Sequence, residues 1–143
     1  MIKYFLKSGD EAVSNMFSPY LWKEKGLGTL LDKCLDLREY GNDLSLIQIR
    51  YYVVGKFEVN GPVEPKVGNY SKIDKSIVIS ITVNPDDFHN QSEETREEFV
   101  AKKTVLAVEL ALQKLEKVKL VIDRKSLLLR LMKCLELWKE SRT

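Results

Sequence analysis

One histidine, His89, serves the whole chain, and the two cysteines, Cys34 and Cys134, lie far apart in it. A zinc site needs a cluster of Cys and His at short spacings, so neither a structural nor a catalytic metal centre is expected. A nucleophilic triad needs a base beside its nucleophile, and a lone histidine among loop acids offers none. No P-loop and no GxGxxG occurs; Gly26-Leu27-Gly28 lacks the third glycine and the preceding strand. No stretch approaches the ~18 continuous apolar residues of a membrane span. The opening MIKYFLKSGDEA has no apolar run of signal-peptide length. Repeats and low-complexity tracts are absent, and so is a strong charge of either sign: the net charge is +2. These absences leave a cytoplasmic globular protein that is not an enzyme and uses no cofactor as the expectation.

What is present is an ordinary apolar fraction of 44% in 143 residues. A chain of that size can bury roughly two-thirds of its unfolded surface, so its core needs no disulfide or metal. The cysteines each lie in an apolar helical pattern and read as buried free thiols, which behave as small hydrophobes. Nothing in the sequence supports joining them.

The longest pattern is Ser92 to Val118, SEETREEFVAKKTVLAVELALQKLEKV, read as one helix. Its middle is apolar nearly all round, with Glu109 alone breaking the surface between Thr104 and Leu112. Such a helix is expected to be surrounded by other elements. Upstream, Met1–Lys7 alternates as a short strand, and Ser8-Gly9-Asp10 signals a turn. Glu11–Met16 makes a helical turn, and Ser18-Pro19 reads as the start of a new segment. Leu27, Leu30, Leu31, Cys34, Leu35 and Leu37 follow helical spacing up to Tyr40, where Gly41-Asn42 supplies a left-handed stop. The period then changes to two. Ile47, Ile49, Tyr51, Val53, Phe57 and Val59 share one face, with Gly55 as a bend; Ile73, Ile77, Ile79, Ile81 and Val83 share another. Asn60–Tyr70 is a hairpin tip or a loop with some strand of its own. Asn84-Pro85-Asp86-Asp87 closes the second run, since Pro85 cannot donate to a ladder. Ser92 caps the long helix, and Asp123 caps a last one whose stripe is Leu127, Leu128, Leu131, Met132, Leu135 and Trp138. Alternation with one wet face is the habit of antiparallel sheets. The expectation is one α+β domain over residues 1–143, an antiparallel sheet with helices on one face, in the order β-α-β-β-α-α.

Charge is distributed unevenly along the chain. Asp86, Asp87, Glu93, Glu94, Glu97 and Glu98 fall between Asn84 and Glu98 against one base, Arg96. One reading is a solvated helix start with favourable dipole contacts; the other is a surface that recognises a basic partner. Asp86 and Asp87 also have the form of a paired-carboxylate or magnesium site, but Asn-Pro-Asp-Asp is good turn chemistry. Lys114, Lys117, Lys119, Arg124, Lys125 and Arg130 make the last third basic and suggest phosphate contacts. Those bases flank apolar helix stripes, with no aromatic interleaved to stack on bases.

The run SIVISITVNPDDF, the polar turn and the acidic-started helix SEETREEFVAKKTVLAVELAL resemble the immunity proteins of bacterial polymorphic toxin systems, including contact-dependent growth inhibition. The resemblance covers the middle of the chain and implies a single job: to bind a cognate toxin domain and block its active site. Many such toxins are nucleases, whose basic clefts accept carboxylates in place of phosphate. That role would fall to Asp86, Asp87, Glu93, Glu94, Glu97 and Glu98. The alternative is a nucleic-acid-binding accessory domain using the basic last third.

Overall fold

The structure, a computed structural model, describes residues 1–8, 11–53 and 65–142. The readings at Gly9-Asp10, Gly55, Phe57 and Val59, and residues 60–64 of the Asn60–Tyr70 link, lie outside them.

Strand β1 spans Ile2–Lys7, followed by helices α1 (Glu11–Leu21) and α2 (Leu27–Cys34), then β2 (Leu46–Val53), the two-residue β3 (Lys66–Val67) and β4 (Ser76–Val83). The long helix α3 (Glu93–Lys117) and the last helix α4 (Arg124–Arg142) complete the chain. The class is α+β, as the patterning implies, with one more helix and one more strand than it resolves.

The sheet is mixed, which corrects the antiparallel expectation. Its order is β1-β2-β4-β3. β1 runs parallel to β2 (Tyr4 opposite Ile49), β2 parallel to β4 (Ile49 opposite Ile79), and only β3 is antiparallel to its neighbour (Lys66 opposite Ser80). A parallel pair needs a crossover of about a dozen residues or more. Helices α1 and α2 fill the first such connection, and the stretch between Val53 and Ser76 is long enough for the second. With helices on a single face, parallel strands alternate as antiparallel ones do. Ile2, Ile47, Ile49, Tyr51, Val53, Ile77, Ile79, Ile81 and Val83 are accordingly almost fully buried. Ile73, assigned to that face by its spacing, precedes β4 and is 95% exposed.

Three local departures have physical causes. Helix α1 continues through Pro19 instead of restarting there. The bond that a residue-19 N–H would give to the Asn15 carbonyl is replaced by the Ser18 hydroxyl, at 3.5 Å. Helix α2 ends at Cys34, short of Tyr40, because Asp36 accepts from the Arg38 N–H and opens a separate 3-10 turn, Leu37–Glu39. Gly41 has no positive φ; it is needed because a Cβ there would lie 2.5 Å from Ile122 Cδ1 and 2.8 Å from the Val121 carbonyl.

Helix α3 is the core element expected. Val100, Ala101, Thr104, Ala107, Val108, Ala111, Leu112 and Leu115 are buried, and Ser92 caps it by accepting from the Thr95 N–H. Tyr4 of β1 reaches across to hydrogen-bond Thr104. On α4 the buried stripe is Leu127, Leu131, Cys134, Leu135 and Trp138, whereas Met132 is half exposed. The Trp138 indole donates to the Lys25 carbonyl at 2.9 Å. The cysteines, expected free, are joined in a disulfide between α2 and α4, with a Cα–Cα distance of 6.4 Å across 100 residues of sequence. Two cysteines so distant along the chain give no local sign of pairing; the packing of α2 on α4 brings them together.

Candidate functional site

Strand β4 runs directly into the turn that carries the first acids. Asn84 caps a 3-10 turn, Pro85–Asp87, by accepting from the Asp86 N–H at 3.0 Å. Phe88 then turns inward and is fully buried, stacked on Phe17 at 4.3 Å between ring centroids. With Phe88 anchored, Asp86 and Asp87 stay exposed beside the start of α3. His89 is also exposed. Among the described residues no group of His, Cys, Asp and Glu is arranged to hold a metal ion.

The four helix glutamates divide by their phase on α3. Glu93 and Glu97, one turn apart, face α1 and α4. Arg142 of α4 lies 3.2 Å from Glu93 and 3.8 Å from Glu97. Its guanidinium covers the Tyr20 ring at 4.3 Å and donates to the Pro19 and Lys25 carbonyls. The Tyr20 hydroxyl, then Arg142, hold the Glu93 carboxyl below its ordinary range. Glu97 is 7% exposed, and burial raises its pKa against the pull of Arg142. Glu98 takes an ion pair and hydrogen bond from Lys139, which lower its pKa. Glu93, Glu97 and Glu98 therefore help fasten α3 to α4.

Asp86, Asp87 and Glu94 carry no ion pair among the described residues. Asp87, Glu94 and Glu98 line a recess of about 390 Å³ with Thr95, Phe99 and Lys102. The structure thus brings together an acidic recess with an aromatic wall, rimmed by exposed carboxylates. Neither Phe99, which the spacing places in the apolar stripe of the helix, nor Lys102 is a site residue on the sequence reading. The signal for Phe99 was its place directly after the acidic run, masked there by its fit to the helix stripe.

The basic last third is partly occupied within the fold. Arg124 pairs with Glu116 at 3.6 Å, and Arg130 donates to the Cys34 carbonyl at 2.9 Å. Lys139 and Arg142 are held by the acids of α3. A recess of about 740 Å³ opens at the N-terminal ends of the strands and is lined by Met1, Asp32, Asp36, Arg38, Leu46 and Asp74 among others. Arg38 hydrogen-bonds Asp36 and lowers its pKa. No helix among the described residues is long and apolar enough to cross a membrane.

No curated protein and no solved structure matches the chain. A family model does, described as Immunity protein 44, and it matches residues 5–136. That span holds all four strands but for the start of β1, the acidic turn, the whole of α3 and most of α4. The chain therefore belongs to the Immunity protein 44 family, an immunity protein family of polymorphic toxin systems.

Proposed function

We propose that this chain neutralises its cognate toxin as a stoichiometric, non-catalytic inhibitor that acts in the cytoplasm and covers the toxin's active site. The observation that carries the reading is the division of the acidic cluster. Asp86, Asp87 and Glu94 make no ion pair among the described residues, and Asp87 and Glu94 line a recess with an aromatic wall, while Glu93, Glu97 and Glu98 are tied to Arg142 and Lys139. Exposed carboxylates without an internal cation attract a basic surface and speed its approach. The Phe99 wall gives the same surface an apolar contact, and aromatic residues are enriched among those that dominate binding energy. A nuclease cleft is the partner chemistry that suits this arrangement, because carboxylates occupy the positions that substrate phosphates would take. Asp86, Asp87 and Glu94 make the contact in this reading, Glu98 is its rim, and Glu93 and Glu97 hold the helix in place.

The test is co-expression with the product of the adjacent upstream gene, read by host growth and by co-elution on gel filtration. The expected outcome is that the neighbour alone stops growth, that this chain restores it, and that the two elute as one complex. Reversing charge at Asp86, Asp87 and Glu94 together should slow association about tenfold or more at low salt, within the range of electrostatic steering, with the melting temperature lowered by only a few degrees through the lost helix-dipole contact of Glu94. Unchanged association by that variant would remove the acidic recess from the reading. A harmless neighbour that does not co-elute would overturn the inhibitor function.

A further inference from the structure

The side of the sheet turned away from the helices carries the opposite charge. Cross-strand register places its side chains in rows. Phe5 lies opposite Arg50, Arg50 opposite Ser80 and Ser80 opposite Lys66, so one row crosses all four strands. The next row is Lys7, Tyr52 and Thr82, and the row before is Lys3, Gln48 and Val78. Lys3, Lys7, Arg50 and Lys66 are exposed, and none makes an ion pair among the described residues. Among the described residues the three rows contain no carboxylate. Arg50 donates to Gln48 at 3.3 Å, which aligns it along the strand without neutralising it. Phe5 is 47% exposed, unusual for a phenylalanine on a strand. Phe5, Leu6, Lys7, Arg50 and Tyr52 enclose a recess of about 250 Å³.

We propose that this open sheet face is a second contact surface for the cognate toxin, and that Arg50, between Phe5 and Tyr52, receives an acidic patch of that domain; the inference rests on the neutralisation reading above. Charge complementarity selects the occupant. Four cations with no ion pair among the described residues call for carboxylates, and an arginine fork binds a carboxylate through two parallel hydrogen bonds. Aromatic residues and arginine are also enriched in interface hot spots. Single-stranded nucleic acid would suit cations and aromatics too. Here, however, β4 leads straight into Asp86 and Asp87, so a phosphate chain passing beyond that end of the sheet meets carboxylates. A folded partner with one acidic and one basic patch meets both surfaces favourably. Two patches of opposite sign at neighbouring places also fix its orientation, because the reversed pose sets like charges together.

The experiment measures association and dissociation of the purified adjacent-gene product on wild-type protein and on Lys3→Glu/Lys7→Glu, Arg50→Gln and the control Lys117→Glu/Lys125→Glu. Each variant's melting curve is recorded alongside. The expected result is association about tenfold slower for Lys3→Glu/Lys7→Glu, within the range of electrostatic steering, and wild-type association for the control. Arg50→Gln should dissociate about thirtyfold faster or more, as when one partner of a buried charged pair is truncated. Salt titration of the wild type requires no variant to fold. Its association rate should fall with ionic strength, and the slope should shrink when the acidic recess is neutralised but should not vanish, because the sheet cations remain. Wild-type binding retained by all sheet-face variants, or a salt slope abolished by neutralising the recess alone, overturns the proposal and leaves the inhibitor reading standing. Binding of a uridine homopolymer that Arg50→Gln abolishes, with toxin kinetics unaltered, reassigns the face to nucleic acid. Failure of the wild type to bind the neighbour overturns the inhibitor reading and this proposal with it.

Discussion

The bond between Tyr4 and Thr104 joins β1 to the middle of α3, and a double-mutant cycle measures what that link is worth. Thr104 is fully buried and Tyr4 is 9% exposed. The Thr104 hydroxyl donates to the Val100 carbonyl at 2.9 Å, so its one proton is spent and the tyrosine hydroxyl must be the donor between them. Burial raises the Tyr4 pKa, so the phenol is protonated and keeps that donor across the ordinary pH range. Thr104→Val keeps the side-chain shape but leaves the Tyr4 hydroxyl in the interior without an acceptor, at a cost of about 1–3 kcal/mol. Tyr4→Phe removes the hydroxyl itself and leaves Thr104 bonded to Val100, at about 1 kcal/mol. In the double variant no donor is orphaned, so its cost should stay near 1 kcal/mol rather than the roughly 3 kcal/mol of the sum.

An unfolding entropy of about 2.1 cal/mol/K per residue makes each kcal/mol worth roughly 3 °C in a chain of this length. Thr104→Val should therefore melt about 6 °C lower, Tyr4→Phe about 3 °C lower, and the double variant about 3 °C lower, by circular dichroism at neutral pH. Urea titration at fixed temperature supplies an independent cycle. A double variant that melts about 9 °C lower, with the two losses simply adding, would refute the assignment of Tyr4 as the donor to Thr104.

Other consequences can be measured on the same material. Burial raises the Glu97 pKa above its ordinary 4.5, so just above that pH the native state holds a proton the unfolded chain has released, and stability falls as pH rises. Glu97→Gln should accordingly compare better with wild type at pH 7 than at pH 3.5, and a constant difference in melting temperature would contradict this. Glu93 and Glu98 have lowered values, so their contribution is present above 4.5 and lost as pH falls through the lowered ones. Cleaving the Cys34–Cys134 disulfide frees a loop of 100 residues, worth about 4.7 kcal/mol in the chain-entropy account. A reductant should thus lower the melting temperature by roughly 14 °C at about 3 °C per kcal/mol, and a shift of less than a few degrees would contradict the constraint. A Cβ at Gly26 would lie 2.6 Å from backbone atoms of Leu21. Gly26→Ala should destabilise by about 1–3 kcal/mol through overpacking, and wild-type denaturation by urea would show that the α1–α2 corner yields.

Much of the fold could be read because local chemistry and tertiary packing agree. The α3 boundaries follow from Ser92 as a cap and from apolar spacing, and β2 and β4 follow from a clean period of two. The direction of strand pairing was not readable from alternation, which reports how many faces are buried and not how chains run. Connection length was the better guide: β1 and β2 are separated by two helices, and a βαβ crossover favours parallel neighbours. The α2 boundary was missed because Leu35 and Leu37 continue the helical spacing while Asp36 offers the backbone a competing bond. The acidic cluster could be seen in sequence as a set of residues, but its division could not. The cations that engage half of it, Lys139 and Arg142, lie some forty residues further along the chain.

That division alters how charge on this surface should be counted. Six acids in a short run suggest one strong negative field, yet Arg142 and Lys139 are drawn into it by folding. Glu93 and Glu97 are one turn apart and receive the same guanidinium; Glu98 receives an ammonium from the neighbouring turn of α4. What remains for a partner is Asp86, Asp87 and Glu94, and these owe their exposure to different devices. The aspartates are held out by the Asn84-capped turn and the buried Phe88 that follows it; Glu94 is held out by a helix phase that Glu93 and Glu97 fix on either side. Charge reversal at Glu93 or Glu97 would therefore disturb partner binding through misplacement of Glu94 and would lower stability as well. Reversal at Glu94 itself would act chiefly on binding, with only the loss of a helix-dipole contact worth about 0.3–1 kcal/mol. Melting curves set beside association rates separate the two cases, and comparable losses of stability at Glu94 and Glu97 would mean that the cluster acts as one undivided patch.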